Sequence, residues 1–118
     1  MQNSTHKKGK NAEKLAEEYL KKKGWKILAT NYKSLNAEID IIALDKKELV
    51  IIEVKSGKAS HFELSQSVNY KKRKKIENAA KTFIYSRGYI NSPIRFEIIT
   101  VNTPTGYIHH FQEEFFDG

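Results

Sequence analysis

The most informative absence from this chain of 118 residues is that of cysteine. Without thiols the protein forms no disulfide bond, binds no zinc through thiolates and uses no cysteine nucleophile. A glycine-rich phosphate loop, a serine triad and a dinucleotide-binding fingerprint are missing as well. The sequence therefore excludes the enzyme classes that depend on those motifs.

Long apolar runs are also missing from the sequence. None approaches the roughly 18 residues of a membrane-spanning helix, and the N-terminal MQNSTHKKGKNAEKL has no apolar core of the signal-peptide kind. We therefore expect a cytoplasmic protein with no membrane partner. Hydrophobic residues make up 39% and charged residues 30%, which predicts one globular domain over residues 1–118.

Negative charge is scarce relative to positive charge. The chain has 14 Asp and Glu against 21 Lys and Arg, which gives a net charge of +7. Such an excess favours a polyanionic partner, and nucleic acid is the commonest one. The alternative is a basic protein whose charges only solvate its surface.

The periodicity of apolar residues predicts the element order α-β-β-β-α-β-β and an α/β fold with a mixed five-stranded sheet flanked by helices. Gly24 and Gly88 are the expected helix ends. The predicted elements are a helix over 7–23, strands over 25–32, 38–44 and 49–55, a helix over about 63–87, and strands over 94–101 and 107–111.

The second helix is expected to be long and continuous. Ser60 and Glu63 have the spacing of a capping box at its start. Its predicted apolar face comprises Leu64, Val68, Ile76, Ala79, Ala80, Phe83 and Ile84.

Residues 37–57, AEIDIIALDKKELVIIEVKSG, predict a β-hairpin with charges inside its apolar strands. Pairing across a four-residue loop places Asp40 directly opposite Glu53, and Glu38 opposite Lys55. Because side chains alternate along a strand, these four charged residues should share one face. The other face should receive apolar side chains, namely Ile39, Ile41, Ile52 and Val54.

This arrangement suggests a metal site. Directly opposed side chains have Cβ atoms about 4.5–5.5 Å apart, so Asp40 and Glu53 would repel each other unless a cation lay between them. Carboxylate oxygens are the ligands of hard divalent cations. Lys55 would offset the negative charge, stabilise charge on a phosphate or help to orient a water. The pattern provides the groups needed for metal-dependent phosphodiester hydrolysis.

A purely structural interpretation stays open at this point. Charges that alternate with aliphatic residues are common on the solvent face of a sheet, and cross-strand Glu–Lys pairs are ordinary. Against this, IDII and LVIIEV are apolar on both faces, as expected for central strands. A carboxylate in a covered strand is unfavourable unless it is paired or metal-bound.

The motifs also match a known family in order along the chain. Asp40 followed by Glu53-Val54-Lys55 has the acid and acid-x-lysine pattern of the PD-(D/E)XK nuclease superfamily. The chain resembles the YraN-like endonuclease-related family within it. Further matches are the stretch 37–42, the stretch 50–55, Gly9 to Glu13, Gly24-Trp25, Asn31, Val68 with Lys72, Ala79-Ala80 and Pro93 to Glu97.

The resemblance implies a restriction-endonuclease-like core and cleavage of DNA. Mg²⁺ or Mn²⁺ would be held by Asp40 and Glu53 with help from Glu13, and Lys55 would assist catalysis. Glu17, one turn further along the first helix, is the alternative to Glu13, and the structural reading of Glu13 is a solvated helix charge. Relatives in the superfamily include Holliday junction resolvases, so branched DNA is an expected substrate, and cutting two strands would suit a homodimer.

Three positions depart from the family pattern: Ala37 and Ala12 replace glycines, and Gly57 stands where the family has an arginine. The loss of that cation keeps an alternative function open. The alternative is a non-catalytic nucleic-acid-binding or recombination accessory module with the same fold, and a third reading is a structural protein.

Five consecutive cations, Lys71-Lys72-Arg73-Lys74-Lys75, lie early in the second predicted helix. Cations there oppose the helix dipole, so phosphate contact explains their position better than helix stability does. Lys71, Lys72, Arg73 and Lys75 are therefore the predicted nucleic-acid ligands, and a solvated helix surface is the alternative. Gln66 and Tyr70 have a Q-x-x-x-Y spacing that would place both on one helical face beside the site.

Several remaining residues receive weaker assignments. Tyr32, Lys33, Trp25 and Tyr89 are candidates for stacking or phosphate contacts, with buried packing favoured for Trp25. The four histidines are expected to be structural or surface residues: His6, His61, His109 and His110.

Overall fold

Five strands form one sheet with the order β1-β2-β3-β4-β5 in the computed structural model, which describes residues 4–66 and 70–115. Neighbouring strands are antiparallel except β3 and β4, which are parallel. The elements are α1 (Ser4–Lys22), β1 (Lys26–Ser34), β2 (Ala37–Asp45), β3 (Glu48–Gly57), α2 (His61–Ser65), α3 (Tyr70–Arg87), β4 (Ile94–Asn102) and β5 (Ile108–Phe115). The predicted α/β fold with a mixed five-stranded sheet is confirmed.

Helix α1 covers one face of the sheet. Ala12, Ala16 and Leu20 recur every four residues, so they form one stripe, and all three are buried against the sheet. The helix ends as predicted at Gly24, which has φ +90°. The N–H of Trp25 donates to the carbonyl of Leu20 (3.1 Å) in the pattern of a Schellman cap.

Helix α3 covers the opposite face. Its buried apolar residues belong to the predicted stripe, whereas Val68 lies outside the described residues. Gly88, with φ +80°, follows the end of the helix as predicted. In the described parts of the chain no helix has the length and apolar character needed to cross a membrane. The buried stripe consists of Ile76, Ala79, Ala80, Phe83 and Ile84.

The prediction of one long helix from Glu63 is wrong. A five-residue helix, α2, begins at His61, and α3 begins separately at Tyr70. The capping box of Ser60 and Glu63 is present as predicted. The hydroxyl of Ser65 donates to the carbonyl of Phe62 (2.7 Å). Such side-chain bonding competes with the main-chain ladder and favours an end of the helix.

The pairing of β2 with β3 has the predicted register. Leu44 lies opposite Leu49, and three further pairs follow. The ladder ends one residue short of the predicted pair of Asp40 with Glu53. Side chains therefore replace main-chain pairing where the two acidic residues lie.

The predicted alternation of faces is wrong at Ile39. Ile41, Ile52 and Val54 pack on the α1 side as expected, but Ile39 packs on the α3 side. The break lies beside Asn31 of β1, whose φ of +51° is in the left-handed region. A residue in that conformation cannot continue a regular pleat, so the side-chain pattern changes there.

A chain of buried charges crosses the α1 side of β4 and β5. Arg95 Nε donates to Glu97 Oε2 (2.7 Å), and His110 Nε2 lies 2.6 Å from Glu97 Oε1. Burial alone would raise the pKa of Glu97, but the hydrogen bonds from His110 and Arg95 hold it below its usual range. Asp45 and Glu48 contact the guanidinium of Arg95 as well. The network satisfies charges that would otherwise be unpaired in the core.

Replacing Glu97 with Ala should destabilise the protein by about 3–5 kcal/mol, because Arg95 would stay buried without its main partner. Urea unfolding at neutral pH measures this free energy. Glu18→Ala, at an exposed position of α1, is the control and should change it by less than about 0.5 kcal/mol. Equal effects of the two substitutions would contradict a structural role for the network.

Candidate functional site

A cavity of about 740 Å³ opens between α1, the β1–β3 part of the sheet and the start of α3. Each helix packs on its own face of the sheet, and both contribute side chains to the cavity. Its polar and charged lining includes Glu13, Asn31, Lys33, Asn36, Glu38, Asp40, Glu53, Lys55, Ser56, Lys72 and Lys75.

Asp40 and Glu53 lie in this cavity where the β2–β3 ladder ends. The N–H of Val54 donates to Asp40 Oδ2 (2.8 Å), and the N–H of Asp40 donates to Glu53 Oε1 (3.3 Å). Glu53 is only 3% exposed. Each carboxylate is thus fixed by the backbone of the opposite strand, and the two side chains face a common space.

The electrostatics of this pair are those of two acids in need of a cation. Burial raises the pKa of Asp40 to about 6, and the charges of Glu13 and Glu38 add to the effect. Burial and the neighbouring Asp40 raise the pKa of Glu53 to about 8. Interacting carboxyls titrate as a pair, so without a metal this pair holds a proton to a higher pH than isolated carboxyls do. A divalent cation would take the place of that proton.

Lys55 adds a cation to the same cavity, as predicted. It lies within hydrogen-bonding reach of Lys72, which approaches from α3. Burial and the neighbouring Lys72 lower the pKa of Lys55, although the carboxylates of Glu53 and Asp40 oppose the shift. An amine with a lowered pKa can exchange a proton more readily than a surface lysine does.

Glu13 reaches the cavity from α1. The amide Nδ2 of Asn31 donates to Glu13 Oε1 (3.0 Å) and to Glu38 Oε2 (2.9 Å), so one side chain joins two carboxylates. Glu17, the alternative candidate, lines a separate groove beside Trp25. Asn31 is a site residue that the charge pattern of the sequence did not indicate, although asparagine is enriched in the left-handed conformation that it adopts here.

The donor set fits a divalent cation such as Mg²⁺. Asp40 and Glu53 offer hard oxygen ligands, and burial and neighbouring carboxylates raise the pKa of each. Over residues 4–66 and 70–115, no three acidic or imidazole side chains converge on one point. Mg²⁺ commonly uses only one or two carboxylates and completes its shell with water and substrate phosphates.

The basic run does not act as one surface, because consecutive residues point around the helix. Lys72 and Lys75, three residues apart, line the cavity. Arg73 lies over the ring of Phe96, 4.7 Å from its centre. Lys74 pairs with Glu77 (3.6 Å) on another side. Lys71 is exposed and does not line the cavity.

The Q-x-x-x-Y prediction is wrong as a one-helix arrangement. Gln66 follows the end of α2, whereas Tyr70 belongs to α3, and the residues between them, like the side chain of Tyr70, lie outside the described part of the chain. Gln66 lines a groove with Arg73 rather than the cavity with Asp40. A side chain at Gly57 would meet Leu64 Cδ2 at 3.2 Å, so α2 packs closely over this position.

The remaining candidates lie mostly outside the cavity. Trp25 is buried, as predicted, and Tyr32 donates or accepts a hydrogen bond with Thr82 (2.7 Å). Tyr89 stacks on Phe83. His61, His109 and His110 do not line the cavity. The side chain of His6 lies outside the described side chains.

Comparison with known proteins gives the family of the chain. The model of "Uncharacterised protein family UPF0102" matches residues 12–101. The chain belongs to the UPF0102 family. This UPF0102 protein is 45% identical to a UPF0102 protein of Thermotoga neapolitana over 101 residues, 86% of this chain and 91% of that protein. It is 42% identical to one of Clostridioides difficile over 109 residues, 92% of this chain and 96% of the relative.

The match confirms the YraN-like resemblance, since UPF0102 is the YraN family. The matched range contains every residue of the UPF0102 protein that lines the cavity. The family assignment therefore applies to the part of the chain that builds the site.

Glu53→Gln should stabilise the metal-free UPF0102 protein at pH 8.5 but not at pH 4.5, close to the ordinary pKa of a glutamate. Glu53 binds its proton more tightly in the folded state, so the wild type loses stability as pH rises from about 4.5 to about 8. Gln at this position carries no charge and is insensitive to that change. Thermal unfolding in EDTA at both pH values measures the difference.

The same variant should respond less to metal. Mg²⁺ or Mn²⁺ should raise the melting temperature of the wild type at pH 8.5, because a ligand of the folded state stabilises it, and should raise that of Glu53→Gln much less. If the melting temperatures of the two proteins depended equally on pH and rose equally with metal, the electrostatic coupling of Asp40 and Glu53 would be contradicted.

Proposed function

We propose that this UPF0102 protein is a metal-dependent nuclease that hydrolyses phosphodiester bonds in DNA. The observation that carries the proposal is the meeting of Asp40, Glu53 and Lys55 in one cavity that Lys72 and Lys75 also line. Two adjacent carboxylates that could hold a metal ion, beside amines that attract phosphate, are the groups that phosphodiester hydrolysis requires.

Asp40 and Glu53 would hold Mg²⁺ or Mn²⁺, with Glu13 positioned by Asn31 at the edge of the same cavity. Such a cation would lower the pKa of a bound water and neutralise charge on the scissile phosphate. Lys55, with its lowered pKa, is suited to orient that water and to accept its proton. The backbone N–H of Val54 keeps Asp40 pointed into the cavity.

Lys72 and Lys75 would bind the phosphates that flank the scissile bond, and Lys33 would add a third ammonium from β1. Contacts of this kind position a nucleic acid but carry little sequence information. The expected specificity is therefore for DNA structure, and branched DNA is the proposed substrate. Cleavage of both arms of a branch would need two such sites, which a homodimer supplies.

A second candidate is a non-catalytic DNA-binding module. It is favoured by the finding that, within the described parts of the chain, no third acid or histidine converges with Asp40 and Glu53. The lysines of the cavity would bind the DNA backbone in either case. Cleavage itself decides between the two functions.

The wild type should cut branched DNA in Mn²⁺, and Asp40→Asn should reduce cutting to background, because one of the two metal ligands loses its charge. Glu13→Gln should slow cutting by roughly 10–100-fold, as expected for a group that supports the metal site. Glu17→Gln is its matched control, since Glu17 lies one turn away beside another groove. Gel analysis of end-labelled branched, duplex and single-stranded DNA measures the rates.

Three outcomes separate the functions. Metal-dependent cutting that disappears with Asp40→Asn supports the nuclease. Binding by both proteins without cutting supports the accessory module. Failure to bind any of the three DNA forms would sink both proposals.

Lys72→Ala should weaken DNA binding and lower the salt dependence of the binding constant by about 0.9 in log–log slope, the value for one lost duplex phosphate contact. Lys74→Ala removes the same charge from the same helix, but Lys74 pairs with Glu77 and does not line the cavity. Fluorescence titrations from 50 to 200 mM salt, a range over which phosphate contacts have a large effect, compare the two. Identical slopes would show that Lys72 makes no phosphate contact.

A further inference from the structure

The turn between β1 and β2 carries a leucine where turn chemistry disfavours one. Ser34 pairs with Ala37, so Leu35 and Asn36 are the two central residues of the hairpin. Both have positive φ, +51° and +63°. Two-residue turns of this kind favour Asn, Asp and Gly, which tolerate the left-handed region. Asn36 satisfies that preference, but Leu35 does not.

Burial does not explain Leu35 either, because its side chain is 62% exposed. A single exposed leucine is ordinary on a protein surface. A leucine that is both exposed and in the left-handed conformation is unusual. Its Cβ makes that backbone conformation unfavourable, and its side chain gains little from packing. Backbone strain of this kind concentrates at ligand-binding and catalytic sites.

The position of the turn links it to the cavity. Lys33, Asn36 and Ala37, the neighbours of Leu35, all line the space that contains Asp40. The base of the hairpin is fixed to α3, since Thr82 donates to Ser34 Oγ (3.0 Å). A strained apolar side chain is therefore presented on a braced hairpin at the rim of the proposed active site.

We propose that Leu35 is an apolar wedge that inserts between bases of the bound DNA at a branch point and unstacks them. This inference rests on the proposed function and gives its structural selectivity a physical basis. Leucine side chains that enter a base step partly unstack it and kink the duplex. A branch already has disrupted stacking, so insertion there is less unfavourable than in a continuous duplex.

The neighbouring groups fit such a role. Lys33 is exposed one residue before Ser34 and would contact the phosphate beside the opened step. The wedge would hold the junction while the adjacent strand lies in the cavity with Asp40. The proposal thus predicts that Leu35 contributes to DNA distortion rather than to the metal site.

The test uses DNA with 2-aminopurine at the branch point, because the fluorescence of this base rises when it unstacks. Every protein carries Asp40→Asn, so that the DNA stays intact. Saturating amounts of the protein that keeps Leu35 should raise the fluorescence of the DNA. A further Leu35→Asn change should remove most of that rise, whereas Leu35→Met, which keeps an apolar side chain, should retain it.

A matched control is available at the other end of the sheet. Ile90 is 61% exposed and precedes β4, which begins beside Leu49. Ile90→Asn makes nearly the same chemical change far from the cavity, and it should leave the fluorescence rise unaltered.

Stability gives an independent readout with the opposite sign. Leu35→Asn should raise the melting temperature by several degrees, because Asn tolerates positive φ. A residue kept only for the fold would lower stability or leave it unchanged when replaced. Higher stability combined with lost unstacking identifies a side chain retained for binding.

Two results would overturn the wedge. An equal fluorescence rise for Leu35 and Leu35→Asn at saturating protein would reject it and leave the proposed nuclease standing. A dimer that dissociates on Leu35→Asn, measured by sedimentation, would instead assign the leucine to a contact between copies. Absence of any DNA binding would overturn the wedge together with the proposed function.

Discussion

The organisation of this protein depends on two carboxylates, one half-buried and one buried, that lie side by side where β2 and β3 stop pairing. Asp40 and Glu53 each accept a hydrogen bond from the main chain of the opposite strand. These bonds lie one residue beyond the last regular main-chain pair of β2 and β3. The backbone thereby holds two acids close together, and burial together with the charge of Asp40 raises the pKa of Glu53.

The rest of the fold brings complementary groups to this pair. The N-terminal half of α1 contributes Glu13, and the first turns of α3 contribute Lys72 and Lys75, from opposite faces of the sheet. Asn31 has a left-handed backbone conformation within β1, and its side chain joins Glu13 to Glu38. A regular sheet would keep the groups of α1 and α3 apart, so the local irregularity is what lets both helices reach one cavity.

The buried charges of β4 and β5 form a network in which each charge has partners of opposite sign. Glu97 lies between Arg95 and His110, and its pKa is lowered, whereas the pKa of Glu53 is raised although both side chains are buried. Glu97 accepts hydrogen bonds from two cationic side chains, whereas Glu53 accepts one from the main chain and lies beside a second carboxylate. Glu97 is thus part of a satisfied ionic network, whereas the raised pKa of Glu53 in a cavity is typical of a functional site.

The sequence by itself determined the element order, both helix-ending glycines, the register of the β2–β3 hairpin and the choice of Asp40, Glu53 and Lys55, because apolar periodicity, turn residues and strand alternation are local properties. Only the tertiary structure decided the break beside Asn31, the division of the second helix and which lysines of the basic run line the cavity. Those features depend on which face each helix buries and where strands separate, and such contacts between distant residues leave no periodic signal in the chain.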